Sequence, residues 1–139
     1  MSDCIFCRIM AGQIPAAKVH EDELTLAFMD IGQVNPGHVL VAVKPHVENI
    51  FGLDDALAAA VFRTTARVAR AVNQAFAPQG VTLYQANGAA AGQTVFHFHL
   101  HIVPRHDKDG IELVWPTKHP PREQLEANAA RIRTALAHA

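Results

Sequence analysis

The chain has 139 residues, 12 Lys and Arg against 13 Asp and Glu, a formal net charge of −1, and half of its residues hydrophobic. This length closes one core without disulfide staples, and this composition excludes a largely disordered chain. Balanced, dispersed charge excludes the footprint of a nucleic-acid binder but leaves a small phosphorylated ligand open.

The first residues, 4–10, form a short segment that predicts one helical turn, stopped at Gly12 and Pro15. Three strands follow at residues 19–21, 25–30 and 38–43, separated by Asp22 and by Asn35, Pro36 and Gly37. Connections this short pair strands antiparallel. After Asp54 and Asp55, the apolar series Leu57, Val61, Val68, Val72 and Phe76, with Thr64, recurs every three or four residues. That period is an amphipathic helix, ended near Pro78 and Gly80. Two more strands are read at 81–86 and 95–103, joined by residues 87–92, whose Gly and Ala content predicts close approach to a ligand. Beyond Pro121, the stripe Leu125, Ala129, Ile132 and Leu136 predicts a last helix over 122–137 that closes the domain. The expected architecture is α+β, one domain over residues 1–139, with five antiparallel strands, a main helix on one face and a C-terminal helix.

Chemistry concentrates in His97-Phe98-His99-Leu100-His101. Side chains alternate along a strand, so the three histidines share one face while Phe96, Phe98, Leu100 and Ile102 share the other. The apolar face is core. Three imidazoles on a solvent-facing stripe have no packing rationale, because Thr or Lys would serve there equally well. Same-face neighbours lie roughly 6.5–7 Å apart, so the outer two histidines need not share a ligand.

Cys4 and Cys7 are the chain's two cysteines. Their spacing in a chain lacking a signal-peptide pattern and any membrane-length apolar run reads as metal-binding or redox in a cytoplasmic setting. Structural zinc takes four ligands, so histidines would have to complete the set.

The triad segment, its continuation through Pro104-Arg105, and the stretches Cys4-Ile5-Phe6-Cys7, Phe28-Met29-Asp30, Gly37-His38, Asn87-Gly88 and Ala91-Gly92-Gln93-Thr94-Val95 together resemble the histidine triad family of nucleotide hydrolases and transferases. The resemblance implies a homodimer whose sheets join, and a central histidine, matched by His99, that attacks the α-phosphorus to form a nucleotidyl-histidine. It implies that His101 and His38 surround the phosphate, that Asp30 binds the ribose, and that Asn87, Gln93 and Thr94 line the phosphate or leaving group. In the bacterial-type members, two cysteines, a histidine after the second core strand and the first triad histidine bind zinc, and Cys4, Cys7, His46 and His97 match them. The expected function is release of a nucleoside monophosphate from a dinucleoside polyphosphate or a phosphoramidate. A zinc-holding nucleotide sensor without turnover and a nucleotidyltransferase are the alternatives. His20, His106, His119 and His138 are expected at the surface.

Overall fold

The structure is a computed structural model that describes residues 3–112 and 114–139. Five strands, β1 Lys18–Glu21, β2 Thr25–Met29, β3 Val39–Val43, β4 Gly80–Tyr84 and β5 His99–Arg105, form an antiparallel sheet in the order β1-β2-β3-β5-β4. Three helices accompany them: α1 Ile5–Met10, α2 Asp55–Phe76 and α3 Arg122–Leu136. Short 3-10 turns at Ile50–Gly52 and Ala89–Ala91 were not anticipated from the sequence. None of the described helices is long and apolar enough to cross a membrane.

Each sheet face carries its own core. On one, Ala27, Val41, Val43, Leu100 and Ile102 pack against Leu57, Val61, Val68 and Val72 of α2. Asp54 caps α2 by accepting the Leu57 N–H, and a left-handed Ala77 followed by Pro78 ends it. The buried hydroxyls of Thr25 and Thr64, 2.7 Å apart, tie helix to sheet. On the other face, Phe6 and Ile9 of α1 cover Leu26, Phe28, Leu40 and Ala42. Leu26 and Phe28 therefore face α1 while Ala27 between them faces α2, the period-2 pattern of a strand buried on both sides. At Gly37 the backbone has φ +98°, and a Cβ there would sit 2.8 Å from the Phe76 ring, so any side chain would both strain the turn and strike the helix.

The chain clusters into two compact units, one ending at Asp109 and one running Gly110–Ala139. The second holds α3. This helix forms as its stripe predicts, yet none of its residues is buried, and Leu125, Ile132 and Leu136 remain exposed.

The fifth strand starts at His99, four residues later than the sequence pattern predicts. Antiparallel pairing runs from Val39 opposite Ile102 to Ala42 opposite His99, and extending it would reach Pro45, which has no N–H to donate. The chain turns instead, with the Phe98 N–H bonded to the Val47 carbonyl. Phe96 is consequently exposed rather than part of the core. The imidazoles are not a solvent-facing stripe either, since α1 covers that face: His97 is fully buried and His99 and His101 partly so.

Candidate active site

Adjacent β3 and β5 place the histidines. His99 pairs with Ala42 and His101 with Leu40, while His38 immediately precedes β3. The Asp30 N–H donates to the His38 carbonyl, which brings the acid at the end of β2 beside the histidine at the start of β3. Asp30, His99 and His101 then line one end of a groove of about 360 Å³, whose other end is walled by Ile5, Phe6, Ile9, Ile14, Phe28 and Leu40. This volume falls at the small end of the roughly 300–1,000 Å³ typical of ligand pockets, with polar groups converging at one end of an apolar slot.

Hydrogen bonds set which ring nitrogens carry protons. His99 Nδ1 lies 2.6 Å from the His97 carbonyl, which can only accept, so Nδ1 is protonated and Nε2 holds the lone pair. His38 Nδ1 accepts from the Val34 N–H at 3.2 Å, leaving Nε2 as the protonated nitrogen. That N–H faces two acceptors, His101 Nδ1 at 2.9 Å and an Asp30 carboxylate oxygen at 3.4 Å. His101 therefore keeps its own proton on Nε2. Burial lowers the pKa of all three rings, with His101 pushed down to about 4 by burial and then by the neighbouring His99 and His38, against the opposing pull of Asp30. At neutral pH the cluster holds neutral imidazoles, one presenting a lone pair and one an N–H.

Charging His101 is easier in the unfolded chain, near the ordinary value of 6.5, than in the fold, near 4. The unfolded state therefore binds more protons throughout this window, and stability falls as pH drops through it. Facing His101 are His99 on its own strand, His38, Asp30, and Tyr84 on β4, whose ring is 5.5 Å away. Thermal melts from pH 7 to 4.5 are expected to decline less steeply in His101→Asn than in the unsubstituted protein. Parallel declines would refute this assignment.

Cys4, Cys7, His46 and His97 meet beside α1, their ligating atoms all within 4.8 Å of one another. The Cys4 sulfur lies 3.3 Å from His97 Nδ1, and the Cys7 sulfur lies 3.3 Å from His46 Nδ1 and 3.6 Å from His97 Nδ1. Ligands about 2.0–2.3 Å from a tetrahedral zinc are roughly 3.3–3.8 Å apart, so the donor set fits such an ion. His97 Nε2 donates to the Val43 carbonyl at 2.6 Å, aiming the Nδ1 lone pair at the sulfurs as an outer-shell partner does in metal sites. Burial and the neighbouring Cys4 push the Cys7 thiol up, so a bound cation is what would hold that sulfur as a thiolate. Asp30, His38 and His101 are also closely spaced, but the Val34 contact keeps the proton on the His38 nitrogen that would have to ligate. That trio is a hydrogen-bonded relay.

Of the three residues expected to contact ligand from this loop, two bond elsewhere and one reaches the groove. Asn87 and Gln93 do not line the groove. The Asn87 carbonyl oxygen accepts from the Ile50 N–H, and Gln93 is buried with its amide bonded to Gly88, Glu48 and Val95 backbone, so both brace the loop. Thr94 does reach the groove rim. In the same loop the close approach at Gly92 is to the Tyr84 hydroxyl, 2.9 Å from where a Cβ would stand. Phe6 escaped notice as a site residue because it reads as core, yet its ring contacts both His97 and His99, at 5.9 and 4.9 Å. His106, His119 and His138 are exposed, and His20 is partly so beside Asp22.

Comparison with known proteins bears on this geometry. The HIT domain family model matches residues 11–108. Protein hit of Bacillus subtilis is 51% identical over 116 residues, covering 83% of this chain and 80% of that protein. The adenosine 5'-monophosphoramidase hnt1 of Schizosaccharomyces pombe is 34% identical over 134 residues, covering 96% and 98%. The crystal structure of a HIT family protein from Bacillus anthracis superposes with a TM-score of 0.92 at 43% identity, covering 96% of each chain. A zinc-bound histidine triad family protein from Mycobacterium smegmatis superposes with a TM-score of 0.75 at 34% identity, covering 96% and 98%. The fold thus recurs in these solved structures, and this chain belongs to the HIT domain family.

Proposed function

We propose that the chain is a nucleotide hydrolase acting at the α-phosphate through a nucleotidyl-His99 intermediate. The single observation that carries this reading is the His99 tautomer: with Nδ1–H held by the His97 carbonyl, a neutral nucleophilic Nε2 is left on a ring that lines the groove. The apolar slot suits a base, Asp30 beside the histidines suits ribose hydroxyls, and the His101 N–H suits a non-bridging phosphoryl oxygen. In the first step Nε2 bonds to phosphorus and the leaving group departs with the electron pair of its broken bond, taking its proton from solvent. The His99 ring becomes a cationic N-phosphoryl imidazolium, which the His97 carbonyl stabilises through Nδ1–H. Water then attacks phosphorus, loses a proton to solvent, and expels the ring with its lone pair restored.

The fission yeast relative is named for hydrolysis of an adenosine phosphoramidate, which makes AMP the expected product and an amine one expected leaving group. A dinucleoside polyphosphate offers the same α-phosphate. Incubation with adenosine 5'-phosphoramidate and, separately, diadenosine triphosphate tests the reading, with AMP separated by liquid chromatography. AMP from neither substrate would count against hydrolysis.

Zinc held by Cys4, Cys7, His46 and His97 would cross-link α1 to the sheet and supply no step of the chemistry. The cysteines stay reduced and available to it in a cytoplasmic setting. The 139 residues are read as one histidine triad domain that dimerises through β4, an edge strand whose Val81, Leu83 and Tyr84 are 36–45% exposed. Light scattering is expected to give twice the 15.1 kDa chain mass, and Leu83→Asp to reduce it to that of one chain. A monomeric unsubstituted protein would contradict the dimer.

A further inference from the structure

The segment that joins β2 to β3, residues 30–38, makes few contacts that its composition foretells, yet one side chain in it satisfies four backbone groups. Gln33 Oε1 accepts from the Gly37 N–H at 2.9 Å and the His38 N–H at 3.1 Å. Its Nε2 donates to the carbonyls of Asp30 and of His38, the latter at 2.8 Å. An amide turned the other way would set oxygen against two carbonyls and NH2 against two N–H groups, so only one orientation fits. The amide thus closes the turn on itself, and in that closed turn the neighbouring Val34 N–H points at His38 Nδ1.

We infer that Gln33 is a positioning residue, whose amide holds the Val34 N–H against His38 and so sets the tautomers of both His38 and His101. The chain of donors runs in one direction. Val34 N–H occupies the lone pair of His38 Nδ1, His38 must then carry its proton on Nε2, and Nε2–H occupies the lone pair of His101 Nδ1. His101 is left with N–H at Nε2 as the group available to a bound phosphoryl oxygen. With the turn loosened, only the Asp30 carboxylate, 3.4 Å from His38 Nε2, still favours this direction. His38 can take the proton on Nδ1, His101 then donates from Nδ1 to His38, and His101 Nε2 presents a lone pair where a donor is needed. Two lone pairs facing each other cost the stabilisation that a preorganised donor supplies. Asp30 strengthens the selected direction, because its carboxylate faces the same His38 Nε2–H. Gln33 has no part in any sequence pattern that marks the histidines, and its role is visible only in the folded turn.

The kinetic consequence rests on the phosphoryl-transfer reading above, whereas the tautomer assignment does not. Long-range proton–nitrogen NMR correlation spectra at neutral pH read the protonated nitrogen of each ring directly. The unsubstituted protein is expected to show both His38 and His101 protonated at Nε2, and Gln33→Ala a mixture of tautomers at His101. In the same variant kcat for AMP release is expected to fall about tenfold, less than the roughly hundredfold for deleting a phosphoryl donor outright. Val34→Pro, which removes the N–H itself, is expected to reproduce the mixture, and Gln33→Met, which keeps the side-chain volume, serves if alanine impairs folding. Nδ1-protonated His38 in the unsubstituted protein, or unmixed tautomers in every variant, would overturn the inference. A protein with the expected tautomers but no AMP release would instead overturn the hydrolase reading alone.

Discussion

Replacing His99 with alanine is expected to abolish covalent turnover, lowering AMP release by about 10⁴-fold or more, while AMP itself still binds. The asymmetry follows from what each part of the groove does. Binding draws on the apolar wall of Phe6, Ile9 and Leu40, on Asp30 and on the His101 N–H, all of which remain. The chemical step draws on one lone pair, on His99 Nε2, which has no substitute nearby: His101 presents a proton on its Nε2 and His38 has both nitrogens engaged. Water attacking directly would have to do in one step what the imidazole divides into two. Calorimetric titration with AMP beside a turnover assay makes the comparison. Loss of AMP binding together with turnover would mean that the ring shapes the groove, and unchanged turnover would remove His99 from the chemistry. Tight AMP binding by the unsubstituted protein without any turnover would favour a nucleotide sensor.

The second large effect concerns α1. Six residues are too few to hold a helix on their own, so α1 depends on what fastens its two sides. Phe6 and Ile9 bury one side against the sheet, and Cys4 and Cys7 approach His46 and His97 on the other. The protein as purified is expected to carry about one zinc per chain, and Cys7→Ala to carry none. A site filled at one hundred times its dissociation constant contributes about 2.7 kcal/mol to stability, which the variant loses as a lower melting temperature. Hydrogen exchange separates this from global weakening: protection is lost over Ile5–Met10 while β2, β3 and β5 keep theirs. Because Ile5, Phe6 and Ile9 also wall the groove, nucleotide affinity is expected to fall with the metal. Metal-free protein of unaltered stability would refute the assignment.

Much of this was legible in the sequence where a short period governs the contact. The spacing from Leu57 to Phe76 specified α2, and the alternation from His99 to Ile102 specified that His99 and His101 share the face opposite Leu100 and Ile102, because both depend on neighbours within a few residues. The segment at His97 was not, since its departure from strand geometry is set by Pro45, just past the end of β3 and more than fifty positions away. Gln93 and Asn87 bond the loop's own surroundings, which the sequence did not foretell for a related reason. An amide in a Gly-rich loop can face a ligand or the loop's own backbone, and only the folded position of Gly88, Glu48 and Ile50 decides between them. Gln33 shows the converse, a residue with no motif whose four bonds arise from the shape of one turn. The proposed zinc ligands lay between these cases: the cysteine spacing was local, but naming His46 and His97 as partners needed the family resemblance.

The most direct test of the central claim is intact-mass spectrometry of the protein quenched during turnover of adenosine 5'-phosphoramidate or diadenosine triphosphate, followed by fragmentation to locate any adduct. The account predicts an added adenylyl group on His99, absent from His99→Ala and transient in the unsubstituted protein. Substantial AMP release with no adduct at any quench time, or an adduct on another residue, would contradict it.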